Sequence, residues 1–164
     1  MTLIDSYKTY VIEEKENQTM SIEKNNDVHL YTVLESINEL TNDSFCVLNH
    51  LFVNESNESQ FESKFLKRTK YLQDVPGFKA LRFLRPPTKH RHYIILTLWK
   101  DRQSFYDWQN SDAYDKTHKK RGTKQGVDNK IVNRDLSYNV RIELANLETS
   151  IDIDNMFNIQ RLSF

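Results

Sequence analysis

The chain has 164 residues, 38% hydrophobic and 28% charged, with three Gly, three Pro and a single Cys. That composition excludes collagen-like, low-complexity and disordered chains and any internal disulfide, and no apolar run approaches the roughly 18 residues of a membrane span. Basic and acidic groups balance at 23 each, which argues against a uniformly basic nucleic-acid binder. The balance is uneven along the chain: residues 1–43 carry net −6, residues 44–145 net +8 and residues 146–164 net −2. Such asymmetry marks an anion-binding segment between acidic flanks. The opening MTLIDSYKTY lacks the basic and apolar regions of a signal peptide, so the expected location is the cytoplasm.

In chain order, residues 7–12, 19–23 and 28–34 are β-prone, with a turn at Asn25-Asn26-Asp27. Leu34, Ile37 and Leu40 sit at helical spacing, which predicts a short helix over 34–41. Residues 45–53 form the clearest strand, apolar on both sides. Its period of two puts Phe45, Val47, Asn49, Leu51 and Val53 on one face and Cys46, Leu48, His50 and Phe52 on the other. A helix is predicted over 57–73, capped by Ser56 or Asn57, with Phe61, Phe65, Leu72 and the stem of Arg68 inward. Val75-Pro76-Gly77-Phe78 ends it. Strands over 79–85 and 91–99 follow, then a helix over 102–110 capped by Asp101, and another over 112–120 capped by Ser111. Residues 121–132 read as a mobile loop, and 134–145 as a last strand with Leu136, Tyr138, Val140, Ile142 and Leu144 on one face.

From residue 45 the order is βαββαβ, which predicts an α+β fold with a ferredoxin-like antiparallel sheet. Helices cover one face of such a sheet, and a second subunit or residues 1–43 must cover the other. The expected organisation is a strand-rich extension over 1–43, a core domain over 44–146 and a tail over 147–164.

No phosphate loop, dinucleotide fingerprint, zinc-spaced Cys/His set or nucleophile elbow is present. Three residues stand out. Asn49 is the one polar side chain on an apolar strand face; it either bonds neighbouring backbone or presents an NH₂ donor to a cavity. Trp108 is either a core aromatic or the wall of a flat apolar pocket. His118 is either a surface histidine or a single imidazole ligand to an iron centre, since one histidine is too few for structural zinc. The basic run Lys116, Lys119, Lys120, Arg121 and Lys124 is a solvated face or a rim for carboxylates. Aromatics are not interleaved in it, so nucleic acid is not an expected partner.

Taken together, Leu96-Thr97-Leu98-Trp99-Lys100-Asp101, Phe105-x-Asp107-Trp108, Ser111-Asp112-x-Tyr114 and His118-Lys119, with Pro76-Gly77-Phe78 and Asn49 upstream, resemble the Isd-type heme-degrading monooxygenases of the antibiotic biosynthesis monooxygenase superfamily. The resemblance spans about residues 45–145. It implies a fold of the dimeric α-β barrel superfamily and heme as both substrate and cofactor, with O₂ and an electron-donating reductase as partners. By position it makes Asn49 the distal amide, Trp108 the bulky group against the porphyrin and His118 the proximal iron ligand. Lys119 and Arg121 then meet the propionates. An extension such as residues 1–43 is similar to those of the long Bacillus heme monooxygenases and the staphylococcal TRAP-type proteins. The latter imply an alternative, a non-catalytic heme-binding stress or signalling protein. If residues 1–43 cover the sheet face that a partner subunit covers in the short enzymes, a monomer is slightly favoured over a homodimer.

Overall fold

The computed structural model describes residues 1–111 and 128–145. Among these, eight strands form one sheet: β1 (Thr2–Ile4), β2 (Tyr10–Lys15), β3 (Thr19–Lys24), β4 (Asp27–Ile37), β5 (Phe45–Val53), β6 (Phe78–Arg85), β7 (Tyr93–Trp99) and β8 (Val132–Glu143). The helices are α1 (Glu58–Arg68), continued by a 3₁₀ segment over Thr69–Asp74, α2 (Arg102–Gln109) and a helical turn at Asp128–Ile131. The strand order is β1-β2-β3-β4-β6-β7-β5-β8, antiparallel throughout. The last four positions, β6-β7-β5-β8, are the ferredoxin-like order, and the α+β expectation holds. No helix among the described residues is long and apolar enough to cross a membrane.

The alternation of β5 decides the layering. Phe45 and Val47 pack with Trp99 and Phe105, and Leu51 and Val53 pack with Phe61, Leu81, Phe83 and Tyr93, all beneath the helices. Cys46 and Leu48 face the other way, into a core with Leu84, Leu96, Leu98 and Ile142. Leu3, Ile12, Met20 and Ile22, from the N-terminal strands, complete that second core. The sheet therefore curls until its outer strands meet. Asp5 bridges Leu144, Ala145 N–H donates to the Ile4 carbonyl at 2.8 Å and Ser6 N–H to that of Glu143 at 3.3 Å.

A buried cation ties this closure. Arg82 lies between Ala80 and Leu84 on the inner face and is 6% exposed. Its Nε donates to Glu14 of β2 at 2.9 Å, and its Nη1 to the carbonyls of Asn38 at 2.8 Å and Leu81 at 2.7 Å. A buried charge is tolerated only when so paired.

The β3–β4 turn is where the Asn pair predicts it. Asn25 and Asn26 have φ of 51° and 70°, the left-handed pair of a tight hairpin turn. The helix predicted over 34–41 is absent. Those residues continue β4 as far as Ile37, with a bulge between Val33 and Glu35 where the strand pairs with β6. The extra residue breaks the period of two, so Leu34 and Ile37 both reach the helix-side core at a spacing that imitates a helix. The long helix predicted over 57–73 divides into α1 and the 3₁₀ segment. Asn57 occupies the N-cap position without capping: its Nδ2 donates to the Glu55 carbonyl at 3.1 Å. Asp101 does cap α2, accepting from Ser104 N–H at 2.8 Å. Of the predicted loop over 121–132, residues 128–131 are a helical turn that buries Ile131, and Val132 already belongs to β8. The helix predicted over 112–120 and the tail lie outside the described residues.

Gly77 turns the chain from the 3₁₀ segment into β6 at φ 82°, and a Cβ there would lie 2.2 Å from Ser104 Oγ. Gly77→Ala adds left-handed strain to a steric clash and is expected to lower unfolding free energy by about 1–3 kcal/mol in urea denaturation. Glu14→Ala leaves the Arg82 guanidinium short of its carboxylate and is expected to cost about 1–3 kcal/mol in the same measurement. An unchanged midpoint would show that the ion pair adds nothing to closure.

Candidate functional site

Between α1 and the β5–β8 ladder lies a cavity of about 220 Å³. Its walls follow from two periodicities. Asn49 and Leu51 come from the helix-side face of β5, and Phe61, Lys64, Phe65 and Arg68 share one stripe of α1 at i, i+3, i+4 and i+7. The helical turn and β8 add Ile131, Val132, Arg134 and Asn139. The floor is apolar and, among the described residues, the charged groups on the wall are the three cations Lys64, Arg68 and Arg134, with no carboxylate.

Asn49 sits between Ile95 of β7 and Asn139 of β8 and is half-buried. No hydrogen-bond partner of its side chain lies among the described residues. Among the described residues the amide is not tied to neighbouring backbone, and Asn49 lines the cavity.

Helix α1 is fixed to the sheet beside the cavity by a polar clamp. Tyr93 Oη donates to Glu62 Oε2 at 2.6 Å, and Arg85 Nε to the same oxygen at 3.1 Å. A second Arg85 nitrogen contacts Glu62 Oε1. Burial would raise the Glu62 pKa, but the hydrogen bonds from Arg85 and Tyr93 outweigh it and hold the carboxyl below its ordinary value. Burial, followed by the Glu62 carboxylate, raises Tyr93, so the phenol stays protonated and donating.

Trp108 lies on the same helix-covered side of the sheet as Asn49, but it does not line the cavity. It packs against Trp99 at 5.4 Å and Phe105 at 6.3 Å between ring centroids, beside Phe45 and Val47. Ser111 Oγ donates to its carbonyl at 2.6 Å. Next to it Arg141 Nη1 donates to Tyr106 Oη at 2.8 Å, with its guanidinium 5.1 Å from the Phe105 ring centroid. His118, Lys119 and Arg121 lie outside the described residues, as does the rest of the basic run.

With this geometry in view, residues 44–120 match the family described as antibiotic biosynthesis monooxygenase. The signal transduction protein TRAP of Staphylococcus aureus is 32% identical over 85 residues, 52% of this chain and 50% of that protein. The chain thus spans about half the length of the curated relatives it matches. Among solved structures, that of a major regulator of staphylococcal pathogenesis has a TM-score of 0.66 at 20% identity, covering 89% of this chain and 84% of that one. A heme-degrading enzyme from Listeria monocytogenes has a TM-score of 0.55 at 12% identity, covering 84% of this chain and 85% of that one. At these identities the two structures speak for the fold, and the fold is that of the monooxygenase domain set in a longer sheet.

Reading the sequence singled out Asn49 but missed Lys64, Arg134, Asn139 and Arg141, and took from Arg68 only its stem. The signal for two of them was present: Lys64 and Arg68 fall in the same stripe as Phe61 and Phe65, and a cation within an inward stripe has to face either solvent or a ligand.

Because Asn49 spends nothing on structure, Asn49→Leu is expected to leave unfolding free energy unchanged or raised by up to about 1 kcal/mol. A loss of about 1–3 kcal/mol in guanidinium denaturation would instead mark a structurally bonded amide.

Proposed function

We propose that this chain binds heme on the helix-covered face of its monooxygenase domain and, with O₂ and electrons from an external reductase, opens the porphyrin ring and releases iron. The observation that carries this reading is the Asn49 amide, without a partner among the described residues, in a cavity with an apolar floor and three cations. A flat apolar disc with two carboxylates asks for such walls. The described residues enclose room for the edge of that disc rather than the whole of it.

Heme, when bound, is the substrate and also supplies the redox chemistry. The chain's own groups do the rest. Leu51, Phe61 and Phe65 exclude water, and Asn49 offers a hydrogen bond without being able to act as an acid. Lys64, Arg68 and Arg134 offer charge to carboxylates. We assign His118 as the iron ligand, Lys119 and Arg121 as further propionate partners, and Trp108 as the rigid group that bends the macrocycle, one of the few levers a protein has on heme. The working form is a cytoplasmic monomer, because residues 1–43 supply strands to the inner core where a second subunit could otherwise sit.

The similarity to the staphylococcal signal transduction protein favours a second reading, in which heme is bound but not turned over. Hemin titration followed by ascorbate under air separates the two. The expected result is a Soret band that decays with release of iron. A band that persists under reductant points to the sensor, and no band at all overturns both. His118→Ala is expected to shift or abolish the band, and Trp108→Phe to keep it while slowing cleavage about tenfold, roughly 1.4 kcal/mol on the barrier.

A further inference from the structure

The interior of the curled sheet is apolar through most of its length and changes character at one end. There, beyond Ile22 and Ile94, a second and larger cavity of about 640 Å³ opens on the face of β5 opposite Asn49. It falls in the size range of small-molecule sites. Its wall carries Tyr10, Tyr31 and Tyr138 with His50 and His92, and Lys24 and Arg91 at its rim.

The rings are set, not loose. His50 stacks on Tyr138 with centroids 4.4 Å apart and planes 10° apart, and His92 meets both edge-on, 6.2 Å from His50 and 5.3 Å from Tyr138. His50 Nδ1–H donates to the Leu48 carbonyl at 3.2 Å and His92 Nε2–H to that of Leu136 at 2.7 Å, because a carbonyl can only accept. Burial first, then the nearby charges of His92 and Lys24, lowers His50 to about 4, so this imidazole is neutral at neutral pH.

The charges are unevenly committed. Asp27 is the cavity's carboxylate, and His29 Nε2 lies 3.1 Å from it while Arg91 lies 2.6 Å from His29 Nδ1. That chain absorbs the Asp27 charge. Lys24 Nζ lies 5.5 Å from the Tyr10 ring centroid and has no carboxylate partner among the described residues. An aromatic cavity with one cation to spare suits a flat ring bearing one negative charge.

We propose that this mouth of the curled sheet is a second binding site, taking a small planar aromatic carboxylate whose ring packs among Tyr31, His50, His92 and Tyr138 and whose anion pairs with Lys24. It lies on the opposite side of β5 from the proposed heme cavity and does not rest on that reading.

The test is titration of the full chain with 2-naphthoate, followed by aromatic proton–carbon NMR. The expected result is saturable shifts at His50, His92 and Tyr31, with affinity about tenfold weaker in Lys24→Met and for the neutral probe 2-naphthamide. Lys24 is exposed at a strand end, so the variant keeps the fold. Absence of saturation at millimolar probe would overturn the site. So would shifts confined to Phe61 and Phe65, which belong to the other cavity, or wild-type affinity in Lys24→Met.

Discussion

Strands β5, β6 and β7 are apolar on both sides, and the helices can cover only one. Everything else in the molecule answers that constraint. The uncovered face carries Cys46, Leu48, Leu84, Leu96 and Leu98, each essentially removed from solvent. At roughly 25 cal/mol per Å² of apolar surface, leaving such a face wet is prohibitive for a domain of this size. The chain covers it with its own first strands, and it can do so only because the sheet twists far enough for β1 to reach β8. Arg82 belongs to the same solution. It brings β6, β2 and the segment after β4 to one buried point, so the closure has a fixed register and is not a loose apolar collapse.

The two faces of β5 then become two different chemical environments only one residue apart. Asn49 opens onto a cavity with cationic walls under α1, and His50 onto an aromatic one inside the curl. Between them the β5–β8 register shifts around Leu51, and Phe52 N–H donates to Ser137 Oγ at 3.0 Å. Irregularities of this kind open a ladder beside a site and re-aim its side chains. Tyr138 lines both cavities, which is the structural sign that the ladder is thin there.

What could be read from the residues was whatever a strict period announces. The bounds of β5, its two faces and the odd position of Asn49 all come from alternation over nine residues. Gly77 and Asp101 were legible because a positive φ and an N-cap each select a narrow set of side chains. The failures have equally physical causes. Leu34 and Ile37 mimic a helix because a bulge adds one residue to a strand, and Leu40, beyond its end, packs in the other core. β1 is three residues long, too short for any period to show. Arg134 and Asn139 join the site through the pairing of β8 with β5, a contact between residues some ninety positions apart that no local pattern encodes. Arg82 reads as a surface cation in a strand, and only the curl makes it interior.

The contacts that close the curl also set an order on folding. Ile4 and Asp5 pair with Ala145 and Leu144, so the contacts beside β1 are complete only once the far end of β8 is in place. Contacts of such separation slow the rate at which a sheet assembles. Leu3, Ile12 and Met20 share their core with Ile142 of β8 as well as with the central strands. Net −6 over residues 1–43 is then more than a counterweight to the basic middle. Like charges along an edge strand disfavour its pairing with a second copy.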